Sequence, residues 1–367
     1  MKILFIASSL SKLWGGTTTS ILNLYSGLKY HNHTIHIWSA YTENEKSEIS
    51  EDVYGNSDIT FFKSGFWRYS SDLKDALEQN IHHYDIVHIH GMWLYPTYIA
   101  AKIARKHSIP YVLSPHGMIE PYALHHKALK KQIYWHFIES KNFKHVAAIH
   151  AITTNEANNA EKLSNNIKIF TLPNGIKIKP YEEKKLDIPP SILYIGRLHP
   201  IKGIEPLLDS LATLTPPIYL TIAGTGSPQY EEILKKKTAT LKLQEYVNFA
   251  GFANNEEKEK FLKKAWFLVV PSYSEVLSMV ALEAVASGTP VLITKSANFD
   301  DLETNGSGII IHDNKPDHIA DGIIRMLQSN LQTMSKNAYA LARKSYAIEE
   351  VASQFVLEYN KIIKGCE

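Results

Sequence analysis

Two glutamates eight residues apart, Glu275 and Glu283, stand in a stretch, residues 266–294, that is otherwise almost wholly apolar or small. An unpaired carboxylate in such surroundings costs several kcal/mol. Glu283 therefore requires a partner: a core Arg or Lys, a backbone amide, or the hydroxyl donors of a bound ligand. A second set lies in Gly196-Arg-Leu-His-Pro-Ile-Lys-Gly203, where Arg197 and Lys202 flank the start of a helix. Two cations and free helix amides suit a pyrophosphate, which Arg can grip bidentately. As surface cations alone the pair would be ordinary. A third candidate is His116, beside Gly117 at the end of an apolar run; the alternative is a surface turn histidine. His88 and His90 share one face of a strand and have the chemistry of metal ligands, but no third ligand is apparent and D-x-D is absent from the chain.

The elements that must position these groups follow from periodicity. Residues 266–270, Trp-Phe-Leu-Val-Val, have the length and branching of a buried strand. Pro271 to Glu275 break it, and 278–287 form a helix that is apolar nearly all round. Gly288 suits the helix end, and Pro290 admits only a new extended segment, 291–294. Glu275 thus falls in a loop at the carboxyl end of a strand, where open parallel sheets bind ligands. The first half alternates strands, expected at 3–7, 34–38, 59–62, 86–89, 111–113, 147–150 and 167–172, with helices such as 17–29 and 98–106. Gly15 and Gly16 precede the first helix and leave amides free for an anion or a sugar. Further strands are expected at 192–195, 219–223, around 249 and at 308–311, the 219–223 strand closing in Gly224-Thr-Gly226. From there the chain reads as helical to its end, with Val351, Phe355, Tyr359 and Ile363 at helical spacing.

At 367 residues the chain fits two domains of about 180 residues each. A composition of 44% apolar and 21% charged residues excludes a disordered chain. The lone Cys366 excludes a disulfide framework and fits a reducing compartment. No apolar run approaches the roughly 18 residues that span a bilayer. Met1 to Ala7 reads better as a buried first strand than as a leader. The net charge of +2 says little, but residues 102–145 carry eight Lys/Arg against two acids, Glu120 and Glu139. No nucleic-acid motif surrounds that patch. An anionic membrane surface or a phosphate-bearing acceptor fits it better, and a solvated basic face is the plain alternative.

The stretch Glu275-Val-Leu-Ser278, with Glu283 and the trailing Ala284-x-Ala286-x-Gly288-x-Pro290, resembles the donor-binding segment of the retaining glycosyltransferases of family four. There the pattern is E-G-F-G, four residues, and a second E. Gly-Arg-Leu-x-x-x-Lys-Gly at 196–203, His116-Gly117 followed by Glu120, and Pro173-Asn174-Gly175 match the same family. The resemblance implies a GT-B fold of class α/β, two Rossmann-like doubly wound domains facing across a cleft. It divides the chain into an acceptor-side domain 1–175, a linker 176–190, a nucleotide-sugar domain 191–347 and a last helix, 348–367, that crosses back to the first domain.

It also implies roles. Arg197 and Lys202 bind the donor's diphosphate, Glu283 the ribose and Glu275 the sugar, while His116 contacts the transferred sugar. Gly15, Gly16, Asn174, Gly224, Gly226, Phe252, Val276, Leu277 and Ser278 join them as substrate-binding positions. Val276 and Ser278 replace two family glycines, which implies an altered fit for the donor sugar, and Lys177 replaces a family Asp, so that contact does not carry over. The implied activity is metal-independent transfer of a sugar, with retention, from a nucleotide-diphosphate sugar to a glycan or lipid-linked acceptor, as in bacterial surface-polysaccharide synthesis. The donor is a substrate and no cofactor is implied. The implied place is the cytoplasm, at the inner face of the membrane. A nucleotide-sugar 2-epimerase or phosphorylase on the same fold, and a noncatalytic binding protein, are the rival readings.

Overall fold

The structure is a computed structural model, and it describes residues 1–125, 128–164, 167–186, 188–215 and 218–365. Cys366, noted above, and Lys127, one of the eight Lys/Arg of residues 102–145, lie outside the described residues. The chain divides into two compact units, one formed by Met1–Gly175 with Ile348–Glu367 and the other by Ile176–Ala347.

The first unit is built on seven strands: β1 (Lys2–Ala7), β2 (Thr34–Tyr41), β3 (Ile59–Lys63), β4 (Ile86–His90), β5 (Tyr111–Ser114), β6 (Ala148–Ala151) and β7 (Ile169–Thr171). They run in the order β3-β2-β1-β4-β5-β6-β7, every pair parallel. Because side chains alternate across a strand, β1 sends Ile3, Phe5 and Ala7 into one apolar cluster and Leu4 and Ile6 into another. Both faces are covered, and so β1 reads as an unbroken apolar run. The order of strands reverses between β1 and β4, and the loops leaving their carboxyl ends part there.

The second unit repeats the plan with β8 (Ser191–Ile195), β9 (Tyr219–Ala223), β10 (Val247–Gly251), β11 (Leu268–Val270), β12 (Val291–Thr294) and β13 (Gly308–Ile311). Their order is β10-β9-β8-β11-β12-β13, again parallel, with the reversal between β8 and β11. β11 begins two residues later than its apolar run, although the Trp266 amide still donates to the Ser191 carbonyl at 2.8 Å.

The helix Ile348–Lys364 packs on the first unit against the helix Gly16–Tyr30. Gly27 makes this possible: a Cβ there would lie 2.8 Å from that of Ala352. Val351, Phe355 and Tyr359 face the Ile3–Phe5–Ala7 side of the sheet. Residues 176–190, expected as a linker, are bound into the second unit. Ile176 pairs with Ala347, and buried Lys184 donates to the Leu262 carbonyl at 2.8 Å and to Thr289 Oγ1 at 3.0 Å. Its Lys/Glu/Pro composition concealed that one anchoring lysine.

Candidate functional site

In the second unit the loops leaving β8 and β11 meet where the strand order reverses. The β8 loop ends in a short turn, Pro200–Lys202, and Gly203, which caps the helix Ile204–Thr213 at φ 69. A Cβ on Gly203 would stand 1.9 Å from the Pro271 carbonyl oxygen, so only glycine lets the two loops touch. That contact brings Lys202 Nζ onto Glu275 Oε1 in an ion pair. Glu275 is framed from all sides: Ser272 Oγ donates to its carboxylate at 3.0 Å, its amide donates to the Ser296 carbonyl at 3.1 Å, and Asn298 Nδ2 donates to its carbonyl at 2.7 Å. Arg197 is exposed and makes no ion pair among the described residues. The Lys202 ammonium and the helix amides after Gly203 form one positive corner beside one carboxylate, with Arg197 five residues earlier on the same loop. Such a corner accommodates an anionic group together with a hydroxyl donor.

Glu283 is not the unpaired buried carboxylate that its apolar helix, Met279–Ala286, suggested. Lys258, on the helix Asn255–Lys264, reaches it at 2.6 Å, and the side chains stay 23% and 15% exposed. The structural partner was therefore present in the sequence, but 25 residues away and in a helix rich in exposed lysines.

In the first unit the corresponding positions hold neutral imidazoles. His88 and His90 lie on β4, Ser114 ends β5, and His150 lies on β6. His88 Nδ1 bonds Tyr359 OH at 2.6 Å and its Nε2 bonds Ser114 Oγ at 2.5 Å. With both ring nitrogens engaged, His88 has none left for a metal. Ser114 Oγ continues to His150 Nδ1 at 2.6 Å, and His150 Nε2 reaches the Leu172 carbonyl at 2.8 Å. A chain of bonds thus crosses the sheet from the last helix to the segment before Asn174. His90 Nδ1 lies 3.0 Å from His116 Nε2. Burial holds all four rings in the neutral form, with the His116 pKa lowered to about 3, that of His150 to about 4, and those of His88 and His90 well below the ordinary value. His116, His90, His150, Asn174 and Ser20 line a cavity of about 10 Å³, room for roughly one water. Asn174 is buried there, accepting from Ser20 Oγ at 2.5 Å.

Residues 176–344 match the family described as glycosyl transferases group 1, and residues 14–179 match glycosyltransferase family 4. The two matches together run through both units. The chain is a glycosyltransferase of the GT-B fold. An uncharacterized glycosyltransferase of Methanocaldococcus jannaschii is 24% identical over 337 residues, 90% of each chain. The GDP-mannose:cellobiosyl-diphosphopolyprenol alpha-mannosyltransferase of Xanthomonas campestris is 26% identical over 283 residues, 75% of this chain and 74% of that one. Among solved structures, Anabaena HepE in complex with UDP-glucose superposes with a TM-score of 0.80 at 18% identity, over 98% of this chain and all of that one.

The remaining predicted positions of this glycosyltransferase divide by local cause. Gly224 and Gly226 serve close packing of backbone: a Cβ on the first would meet the Gly196 carbonyl at 1.9 Å, and on the second the Leu198 carbonyl at 2.3 Å. Ser278, where the family has glycine, caps the helix Met279–Ala286 by accepting the Ala281 amide at 3.4 Å. Leu277 is buried, Val276 partly so, and Phe252 presents an exposed ring. Gly15 has φ 55 and open space where a Cβ would be, so its backbone, not its surroundings, requires glycine. Sequence reasoning missed Lys258, Ser114, His150, Tyr359 and Glu156. Only Glu156 carried a legible signal, the Thr153-x-x-Glu156 spacing of a helix start.

Proposed function

We propose that this glycosyltransferase moves a sugar, with retention of anomeric configuration and without a metal, from a nucleotide-diphosphate sugar to a glycan or lipid-linked acceptor. The observation that carries the reading is the ion pair of Lys202 with Glu275 at the strand reversal of the second unit, with exposed Arg197 on the same loop. Arg197 and Lys202 neutralise charge growing on the leaving diphosphate, the principal electrostatic task when no divalent cation takes it. Glu275 exchanges its bond to Lys202 for a sugar hydroxyl, and Glu283 accepts from the ribose. Neutral His116 offers a ring nitrogen to the transferred sugar; its depressed pKa makes it a hydrogen-bonding group and not a cation. UDP-glucose in the Anabaena neighbour and the polyprenol-linked acceptor in the name of the Xanthomonas relative support this class of donor and acceptor.

We further propose a polyprenol-linked acceptor and, with it, work at the inner face of the cytoplasmic membrane in surface-polysaccharide assembly. The basic stretch supports that placement in an altered form. Tyr134 and Trp135 pack inward against Trp93, while Leu129, Ile133 and Phe137 are 72%, 54% and 66% exposed on one helical run. Lys130, Lys141 and Lys144 accompany them. Such a surface suits anionic lipid, at about 1 kcal/mol per basic residue near the bilayer. Among the described residues no helix is long and apolar enough to cross a membrane.

Thermal shift against UDP- and GDP-sugars identifies the donor, since a ligand at 100 times its Kd adds about 2.7 kcal/mol. With that donor, release of nucleoside diphosphate should require an acceptor-containing lipid extract and survive EDTA. No release with any extract, or loss on chelation that Mg²⁺ restores, contradicts the reading. Flotation with neutral and phosphatidylglycerol-containing liposomes tests the membrane contact, which equal binding to both would refute.

A further inference from the structure

His116 is carried by a tight turn, Pro115 to Met118, closed by the Met118 amide on the Pro115 carbonyl at 3.1 Å. Its two central residues both have positive φ, 52° at His116 and 78° at Gly117. Two such residues in succession mark a primed turn, and for a residue with a Cβ the left-handed conformation costs about 1–2 kcal/mol. Something must hold it. The N–H of Gly117 belongs to the peptide between the two strained residues, and it donates to Glu156 Oε1 at 2.6 Å. Glu156 Oε2 takes the Ile152 amide at 2.8 Å, just beyond β6. In a Thr-x-x-Glu helix start the carboxylate ordinarily returns to its own cap amide. Here Thr153 caps the Glu156 amide at 3.2 Å, while the carboxylate turns away to bind the β5 and β6 loops together.

The setting is costly. Glu156 is wholly buried and has no ion pair among the described residues. Burial pushes its pKa up to about 7 against the pull of the two amides, and Glu120 nearby pushes the same way. Glu120 is itself held by Asn159 Nδ2 at 3.1 Å and Asn155 Nδ2 at 3.3 Å. An apolar residue would fill this space at less cost if only packing were needed. The Oε1 bond to the Gly117 amide is what an apolar residue cannot supply.

We infer that Glu156 is a positioning residue for His116: its carboxylate fixes the central peptide of the 115–118 turn and so aims the imidazole. Without that acceptor the peptide is free to rotate and the ring loses its direction. The inference rests on the reading that His116 acts on the transferred sugar. It concerns turnover and not donor affinity, because the diphosphate corner lies in the other unit.

The test is a double-mutant cycle on the full chain, with the nucleotide sugar hydrolysed fastest among UDP-glucose, UDP-galactose, UDP-N-acetylglucosamine and GDP-mannose. Glu156→Gln keeps the shape but leaves one acceptor for two amides. It should lower kcat about 10- to 100-fold, the cost of a misplaced group, with donor KM unchanged. Combined with His116→Ala it should cost nothing beyond His116→Ala alone. Hydrogen exchange should quicken in the peptide holding Gly117 and not in the second unit. If Glu156→Gln does not fold, Glu156→Asp, which keeps the charge but shortens the reach, serves in its place. Wild-type kcat, or a loss that multiplies onto that of His116→Ala, overturns the inference. Full activity in His116→Ala alone overturns the His116 reading beneath it, a result distinct from either.

Discussion

The second unit carries ion pairs, Lys202 with Glu275 where the strand order reverses and Lys258 with Glu283 between two helices, while the first carries four imidazoles held neutral by burial on its strands and the turn after β5. The two sheets share the order of their first six strands and the place of reversal, the first adding β7 at its edge. The difference therefore lies in the loops and in what covers them. In the second unit the ions stay partly exposed, so water and a ligand can reach them. In the first, the last helix lays Phe355 and Tyr359 over His88 and His150, and the histidines become part of a core. One scaffold thus offers charge at the strand reversal of its second sheet and uncharged donors and acceptors in its first.

Acid is the strongest way to break this contrast. Folding keeps His116 and His150 neutral down to about pH 3 and 4, whereas in the unfolded chain they protonate near 6.5. The unfolded state therefore binds more protons below 6.5, and the stability these residues allow is lost as pH falls from there toward their folded values. At pH 5 the loss is about 2 kcal/mol for each of the two. Calorimetry between pH 7 and 5, with hydrogen exchange to assign transitions, should find the first unit weakened before the second. Equal weakening would mean that burial does not distinguish the two sets.

Removing charge sharpens the same contrast from the other side. Lys202→Ala or Arg197→Ala should reduce kcat by about 2–4 kcal/mol of transition-state stabilisation. Both side chains reach solvent, so melting should hardly change. Near-wild-type turnover in Lys202→Ala removes the diphosphate assignment. A smaller effect is expected at Glu283. Glu283→Gln should weaken donor binding by about 1.5–3 kcal/mol, while stability without ligand shifts by at most about 1 kcal/mol, because the pair with Lys258 is partly solvated. A large stability loss with unchanged donor affinity would assign Glu283 to the fold.

The place of Arg197 and Lys202 before a helix start was legible because a strand, a loop and that helix start lie within a dozen residues. The alternation of β1 and the apolar run of β11 were legible for the same reason: burial on both faces leaves a local imprint. Glu283 shows the limit. Its need for a partner could be read from its neighbours, but which partner could not, since Lys258 is one lysine among several on a distant helix.

By itself, then, the sequence determined the two sheets, the loops at their carboxyl ends and the residue types those loops present, because periodicity, turn chemistry and helix starts act over a few residues. Only the tertiary structure decided which of those residues meet and in what charge state. Lys202 reaches Glu275 because Gly203 lets one backbone rest on another at Pro271. His88 is neutral and engaged because Tyr359 arrives from 271 residues away. Glu156 grips Gly117 because β5 and β6 are neighbours in the sheet. Pairing across the fold depends on distances that no local pattern records, and burial, which sets protonation, is a property of what the rest of the chain places on top.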